Sequence, residues 1–300
     1  HWGDQLGGSE VQSVFFGGGT PSLLSPRIIG LTMERINKYF RLVPKAEVTL
    51  EANPESLRGG HRAAQYLDAG INRLSIGVQS MDEGMLRMLG RPHKAQDSLH
   101  VAFLAREAGC ANINLDLMWG LPGQSVRQWL QTLKDVIRMT PDHISAYGLT
   151  LEPGTPLELD VEEGRLTLPP ERDQNIMFME GAAMLEQHGY LHYEISNFAR
   201  MGFQCRHNMG YWEGEDYLGL GPSATSTINN RRWTNPSSQA AWNARTREGK
   251  LAQTVEELTP ETRVLELLML RLRTARGLRV KEYREMTGRD FVRDHQRLVQ

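Results

Sequence analysis

The sequence predicts an α/β protein built on a parallel barrel, full or partial, with a small, mainly helical C-terminal part. Three observations predict it. Between residues 13 and 150, buried-strand runs alternate with helical patterns in five successive units. In the first four of these, the bare or polar residues fall at the C-terminal end of the strand: Gly18, Gly19 and Thr20, then Glu51 and Asn53, then Gln79, then Asp116. From about Thr259 onward the pattern becomes that of amphipathic helices. A barrel gathers strand C-termini around one mouth, whereas a doubly wound sheet concentrates ligand contacts at its switch point. The spread over successive units therefore favours the barrel.

The first unit opens on "SVFFGGGTPSLL". Val14, Phe15 and Phe16 form a short β-branched and aromatic run, the signature of a buried strand. Gly17, Gly18 and Gly19 then leave bare backbone, which serves a turn and equally lets another molecule approach closely. A helix rich in Ile and Met is expected over 26–40. "EVTLEANP" ends in a polar loop before a helix over 61–69, and "INRLSIGVQS" precedes a helix beginning near Asp82. "NINLDLMWGLPGQS" leads into a helix over 126–139. "HISAYGLTLEPGT" runs into a long loop whose helix is delayed to about Pro170. Residues 1–200 make up this barrel part. Residues 201–235 form an irregular segment holding Cys205 and "RHNMGYWEGEDYLGLGPSATS", and 236–300 the helical part.

Composition narrows the class. At 300 residues, 40% apolar and 23% charged, the chain matches an ordinary globular protein, and no apolar run approaches the ~20 residues of a membrane span. A net charge of −2 excludes a globally basic nucleic-acid binder. The tail from Arg263 to Gln300 carries ten Lys/Arg against five Asp/Glu, read as a solvated face, so nucleic acid is not an expected partner. Two cysteines, Cys110 and Cys205, build neither a disulfide framework nor a Cys-based zinc motif, and a reducing, cytoplasmic setting is expected. Both ends read as cut. The first residue is His1, and "DHQRLVQ" continues a helical pattern without a stop signal, so a leader is not readable either way. A preceding strand is expected to be missing, leaving the "SVFFG" strand unpaired along one edge.

Each polar residue alone has a structural explanation. Glu51 before Asn-Pro caps a turn, Gln79 satisfies loop backbone, and Asp116 is a buried partner for Arg73 or Arg91. His93 in "GRPH" reads as a surface or capping histidine, and Cys110 as a small buried thiol.

The series "FFGGGTPSLL", "TLEANPES", "NRLSIGVQSMDEGMLRMLGRPH", "NLDLMWGLPGQS", "YEISNFAR" and "HNMGYW", in that order, resembles the radical S-adenosylmethionine proteins related to oxygen-independent coproporphyrinogen III oxidase, most closely the HemW-type heme chaperones. The resemblance covers residue 11 to about 222 and, more weakly, the tail. It implies a partial parallel barrel of the radical SAM type. It implies that Gly18, Gly19 and Thr20 lie along S-adenosylmethionine, with bare backbone at its amino group. Glu51 and Gln79 would bond its ribose and methionine parts, Arg91 its carboxylate as a guanidinium fork does, and Asp116 the remaining polar groups. It also implies a [4Fe-4S] cluster held by a CxxxCxxC loop ahead of the glycine strand. That loop is absent from this sequence, and the natural protein is expected to carry it before His1.

The segment "CRHNMGYW" resembles the family's HNxxYW heme motif. His207 would be the axial ligand of heme iron, Asn208 would orient its imidazole, and Tyr211 and Trp212 would lie against the porphyrin. Cys205 is the competing ligand. A lone His beside Asn is otherwise a satisfied loop residue. The implied function is a heme chaperone delivering heme to client hemoproteins. The alternative is the oxidase itself, an enzyme that decarboxylates propionate side chains, and the HNxxYW motif favours the chaperone.

Overall fold

A computed structural model describes residues 1–59, 61–252 and 254–299. Its contacts group the chain into two compact units, Leu6–His207 and His1–Gln5 with Asn208–Gln300. The short helix α1 (Trp2–Leu6) precedes β1 (Glu10–Phe16), α2 (Pro26–Tyr39), β2 (Arg41–Ala52), α3 (Arg62–Asp68) and β3 (Arg73–Gln79). Then come α4 (Glu83–Met88), α5 (Ala95–Glu107), β4 (Ile113–Trp119), α6 (Val126–Arg138) and β5 (His143–Gly148). Two further helices, α7 (Pro156–Glu162) and α8 (Glu171–Gln187), lead to a hairpin of β6 (Leu191–Glu194) and β7 (Asn197–Ala199).

Strand order is β1-β2-β3-β4-β5-β7-β6. The first four pairings are parallel and follow chain order, and the hairpin adds two antiparallel strands beyond β5. No reversal of order occurs among the parallel strands, so there is no switch point, and the sheet curls as a half-barrel with β1 and β6 as its open edges. The edge position of β1 matches the expectation for the "SVFFG" strand.

The sheet has two unlike faces because side chains alternate along a strand. Leu50, Leu74, Ile76, Leu115, Leu117 and Ile144 are fully buried on the outer face. They pack with Ile29 of α2, Tyr66 of α3, Ala105 of α5, Trp129 and Leu133 of α6, and Met177 of α8 in one apolar cluster. The inner face carries Glu47, Thr49 and Glu51 of β2, Arg73 and Ser75 of β3, Asn114 and Asp116 of β4, and His143 and Ser145 of β5. Their alignment follows from register, with Thr49 beside Arg73, Ser75 beside Asn114, and Asp116 beside Ser145.

Helix starts follow local chemistry. The Asp82 carboxylate accepts from the N–H groups of Gly84 (2.7 Å) and Met85 (3.0 Å), and Ser125 with Gln128 forms a reciprocal cap on α6. The helix expected near Asp82 begins there as α4, and a second helix, α5, follows it because Gly90 at φ 64° and Pro92 end α4. Two expectations need correction. The long loop after β5 contains α7, started by Thr155 as N-cap with Pro156 at the first helical position. His93 is neither surface nor cap: it is buried, with Nδ1 3.3 Å from Glu55 Oε2 and Nε2 3.2 Å from the Val78 carbonyl.

Helix α9 (Arg206–Glu213) follows the hairpin. The smaller unit holds a three-stranded antiparallel sheet of β8 (Thr225–Ile228), β9 (Arg231–Thr234) and β10 (Glu256–Glu257) as well as helices. The sheet was not foreseen: β8 and β9 lie in the segment 201–235 read as irregular, and β10 in the part 236–300 read as helical. The principal helices are α10 (Gln239–Glu248), α11 (Pro260–Arg271) and α12 (Val280–Thr287).

Candidate functional site

At the C-terminal ends of β1, β2, β3 and β4 the half-barrel has a polar mouth. Gly18, at φ 106°, turns the chain after β1 and donates its N–H to Glu51 Oε2 at 3.1 Å. A Cβ added at Gly18 or Gly19 would meet nothing within 4 Å, so bare backbone faces open space here. Thr20 Oγ1 accepts from Asn53 Nδ2 at 3.0 Å. Gln79 ends β3 at φ 65°, a left-handed conformation that a residue with a side chain holds only where its surroundings enforce it. Its side chain folds back over Gly77. A Cβ on Gly77 would lie 2.9 Å from both Gln79 Nε2 and Asn53 Oδ1, so any larger residue here must displace one of these side-chain ends. Asp116, beside Gly77 in register, accepts from Ser75 Oγ at 3.0 Å and Asn114 Nδ2 at 2.8 Å.

The structure thus brings Gly18, Thr20, Glu51, Gln79 and Asp116 to one mouth, with Gly19 adjoining. Arg91 lies in the loop after α4, its backbone N–H on the Leu86 carbonyl. Among the described residues no carboxylate pairs with it.

The mouth is short of positive charge. Burial, reinforced by Asp116, pushes the Glu51 carboxyl up from 4.5 to about 7, against the Gly18 N–H and the Arg73 guanidinium. Burial likewise raises Asp116, opposed by its hydrogen bonds and Arg73. Two carboxylates with this bias, beside exposed glycine backbone, suit a ligand carrying cationic and hydrogen-bonding groups. S-adenosylmethionine, with a sulfonium and an amino group, is of that kind, and the residues present fit it. They do not fit a three-thiolate cluster. The chain has two cysteines, and among the described residues no three His, Cys, Asp or Glu groups are placed to hold a metal ion.

The motif segment occupies α9, which carries His207, Asn208, Tyr211 and Trp212. His207 is half-buried, stacked on Phe15 with ring centroids 4.8 Å apart, and its Nδ1 is 3.1 Å from Ser13 Oγ. Burial, with Arg73 adding and Glu47 opposing, lowers its basicity, so the imidazole is neutral at pH 7. Cys205 is fully buried, with Sγ 3.3 Å from Glu47 Oε1. Asn208 and Trp212 are half-buried, and Tyr211 packs edge-on against Tyr217.

Sequence reasoning missed most of the inner face, Glu47, Asn114, His143 and Tyr193, and named Arg73 only as a partner for Asp116, a charge interaction the structure bears out. A signal was available in the alternation of "AEVTLEAN", "RLSIGVQ", "INLDLMW" and "HISAYG", where every second residue is polar or small over much of each run.

Comparison with known proteins now adds to the geometry. Residues 4–136 match the Radical SAM superfamily, and residues 258–300 match the HemN C-terminal domain. A Bacillus subtilis protein named heme chaperone HemW is 34% identical over 289 residues, covering 96% of this chain and 76% of the relative. The chain belongs to the HemW family of the radical SAM superfamily. A Danio rerio relative, radical S-adenosyl methionine domain-containing protein 1, mitochondrial, is 45% identical over 216 residues, which is 72% of this chain and 48% of that protein. The chain thus spans about half the length of that relative and of its cattle and mouse counterparts. Among solved structures, the radical SAM enzyme coproporphyrinogen III oxidase (HemN) from Escherichia coli superposes with a TM-score of 0.80 at 24% identity, over 95% of this chain and 68% of that one. That likeness establishes the fold, a radical SAM half-barrel.

Proposed function

We propose that this protein binds heme and passes it to hemoproteins, while its half-barrel mouth holds S-adenosylmethionine. The observation that carries the reading is His207. A neutral imidazole, oriented by Ser13 Oγ at Nδ1 and by the Phe15 ring, sits in an HNxxYW helix of a chain whose relatives along most of its length are named heme chaperones. A neutral imidazole is the form that ligates iron, and a hydrogen bond at one ring nitrogen orients the other toward a metal. Asn208 orients that imidazole, and Tyr211 and Trp212 offer ring surface to the porphyrin.

At the mouth, the Gly18 and Gly19 backbone and Thr20 lie along the methionine part, Glu51, Gln79 and Asp116 take the amino, ribose and remaining polar groups, and Arg91 takes the carboxylate. A [4Fe-4S] cluster beside bound S-adenosylmethionine would supply electrons for its reductive cleavage. This chain contributes the binding groups for the nucleoside and no thiolate set for the cluster. A reducing, cytoplasmic setting agrees with two cysteines that form no disulfide, and no helix among the described residues is long and apolar enough to cross a membrane.

Heme titration followed at the Soret band tests the reading. His207→Ala is expected to abolish the Soret shift and leave S-adenosylmethionine affinity, read by calorimetry, within about twofold of wild type. Retention of the shift in His207→Ala with its loss in Cys205→Ala would overturn the assignment.

A further inference from the structure

One series of inner-face groups runs unbroken from the mouth to the first turn of α9. Asn114 Nδ2 donates to Asp116 Oδ1 at 2.8 Å. Asn114 Oδ1 lies 2.6 Å from His143 Nδ1, and His143 Nε2 lies 2.8 Å from the Tyr193 hydroxyl. The Tyr193 oxygen accepts the Cys205 N–H at 3.3 Å. There the series meets Glu47, whose carboxylate accepts from Cys205 Sγ (3.3 Å), the Arg206 N–H (3.1 Å) and the His207 N–H (3.2 Å). Asn114, His143, Tyr193, Cys205 and Glu47 are all buried.

The polarity of this series is forced from the Asp116 end. Asp116 accepts through both oxygens, from Ser75 Oγ at Oδ2 and from Asn114 at Oδ1, so Asn114 turns its amide NH2 to Asp116 and to Ser75 Oγ (2.7 Å) and its oxygen to His143. Burial holds His143 well below its ordinary range, so the ring is neutral with one N–H, and that proton must sit on Nδ1 to serve Asn114. Nε2 then accepts the Tyr193 O–H, which leaves the hydroxyl oxygen to accept from Cys205. Every donor points toward the mouth. Reversing or removing one link takes a partner from the next buried group, with only Ser145 Oγ (3.2 Å) left on Asn114 Oδ1 when His143 is cut, and an unmade buried hydrogen bond costs more than a made one contributes.

The same geometry explains why the helix begins where it does. The first N–H groups of a helix lack internal partners, and a carboxylate there also meets the positive end of the helix dipole. Glu47 supplies that carboxylate from β2, and Tyr193 supplies the acceptor for the residue just before the helix.

We propose that Glu47 and Tyr193 are positioning residues for His207, and that the Asp116–Asn114–His143–Tyr193 series makes their hold on the first turn of α9 respond to what occupies the half-barrel mouth. The positioning role rests on His207 being the heme ligand; the coupling does not. A cationic ligand at the mouth draws on the Asp116 carboxylate, weakens what Asp116 offers Asn114, and so loosens the ordered series that ends at Cys205. The ligand class at the controlling end is a cation bearing hydrogen-bond donors, and the responding element is the turn that places the imidazole.

The test is amide hydrogen exchange at Cys205, Arg206 and His207 in the full chain, with Asp116→Asn and added S-adenosylmethionine as two separate perturbations of the mouth. Tyr193→Phe keeps the ring and is expected to speed exchange at Cys205 about tenfold, the equivalent of one hydrogen bond. Asp116→Asn is expected to change exchange at Arg206 and His207 about fivefold or more in the wild-type background and by less than about twofold in Tyr193→Phe. A merely structural Tyr193 would speed exchange without erasing that dependence. His143→Gln cuts the same series one link earlier and gives the same erasure, which keeps the test intact if Tyr193→Phe does not fold. Wild-type rates indifferent to both perturbations, or a response that persists in both cut variants, would overturn the coupling. Soret titration of the same proteins reads the heme assignment separately: heme binding that survives His207→Ala defeats that assignment while the exchange result stands on its own.

Discussion

Replacing Glu51 by Gln isolates the electrostatic strain of the mouth. Glu51 titrates near 7 in the folded protein and near 4.5 when unfolded. A raised folded value means that the native state holds its proton longer, so stability is greatest below pH 4.5 and declines as pH rises through 7. At about 1.4 kcal/mol per unit, the shift sets a ceiling of about 3 kcal/mol. The carboxylate is only half-buried, and solvent screening brings the expected loss between pH 5 and pH 8 to about 1–2 kcal/mol. Gln keeps an oxygen for the Gly18 N–H and cannot ionise. Urea unfolding of both proteins at pH 5 and pH 8 should therefore show the advantage of Glu51→Gln over wild type growing by about 1–2 kcal/mol toward the higher pH. Asp116, pushed the same way by burial, leaves a slope of the same sign in the variant. A difference between the two proteins that is equal at both pH values, or that shrinks toward pH 8, would refute the reasoning. Binding supplies a cross-check. A cation beside Glu51 draws its titration downward, so S-adenosylmethionine should release protons near pH 7 from wild type and fewer from Glu51→Gln, read as a buffer-dependent binding enthalpy.

Two other substitutions separate the mouth from the core. Gly77→Ala puts a methyl 2.9 Å from Asn53 Oδ1 and Gln79 Nε2. Because those side-chain ends can shift, the expected stability loss is about 1 kcal/mol, but S-adenosylmethionine affinity should fall about tenfold by calorimetry, and unchanged affinity would remove Gln79 from the ligand site. Leu115→Ala, fully buried on the outer face, should cost about 2–5 kcal/mol in urea unfolding, and a loss below 1 kcal/mol would contradict the placing of the core.

Much of the first unit was legible because its information is local. The turn at Gly17–Gly19, the polar strand ends at Glu51, Gln79 and Asp116, and the helix starts near Asp82 and Val126 each depend on a few neighbouring residues. Elements that depend on distant partners were not. His93 is buried with the Val78 carbonyl at Nε2 and the Glu55 carboxylate beside Nδ1, and neither is close to it in sequence. Strands β8 to β10 have four, four and two residues, too few for a period-2 pattern to separate from irregular chain. The inner face was a misreading of a different kind. Strands of parallel sheets read as continuous apolar runs when both faces are covered, and these were taken so, although Glu47, Arg73, Asn114 and His143 interrupt them at alternate positions.

Those interruptions follow from leaving the barrel open. A closed eight-stranded barrel fills its interior with layers of branched side chains, whereas this sheet stops at β1 on one edge and β6 on the other and turns polar groups inward. Buried polar groups persist only with partners. Glu47 finds the N–H groups of Arg206 and His207, His143 finds Asn114 and Tyr193, and Asp116 finds Ser75 and Asn114. Two inner-face groups depart from this: Arg73 is buried and its Nε, like the buried Thr49 Oγ1, has no hydrogen-bond partner among the described residues. The Arg73 guanidinium, which burial disfavours, shares the fields of Glu47 toward α9 and of Asp116 toward the mouth. A guanidinium so placed opposes the accumulation of carboxylates along the inner face and, together with hydrogen bonds, offsets part of the rise that burial imposes on Glu51 and Asp116. Neutralising Arg73 would therefore disturb both ends of the inner face at once, whereas changes at Glu51 or Glu47 act first at one end.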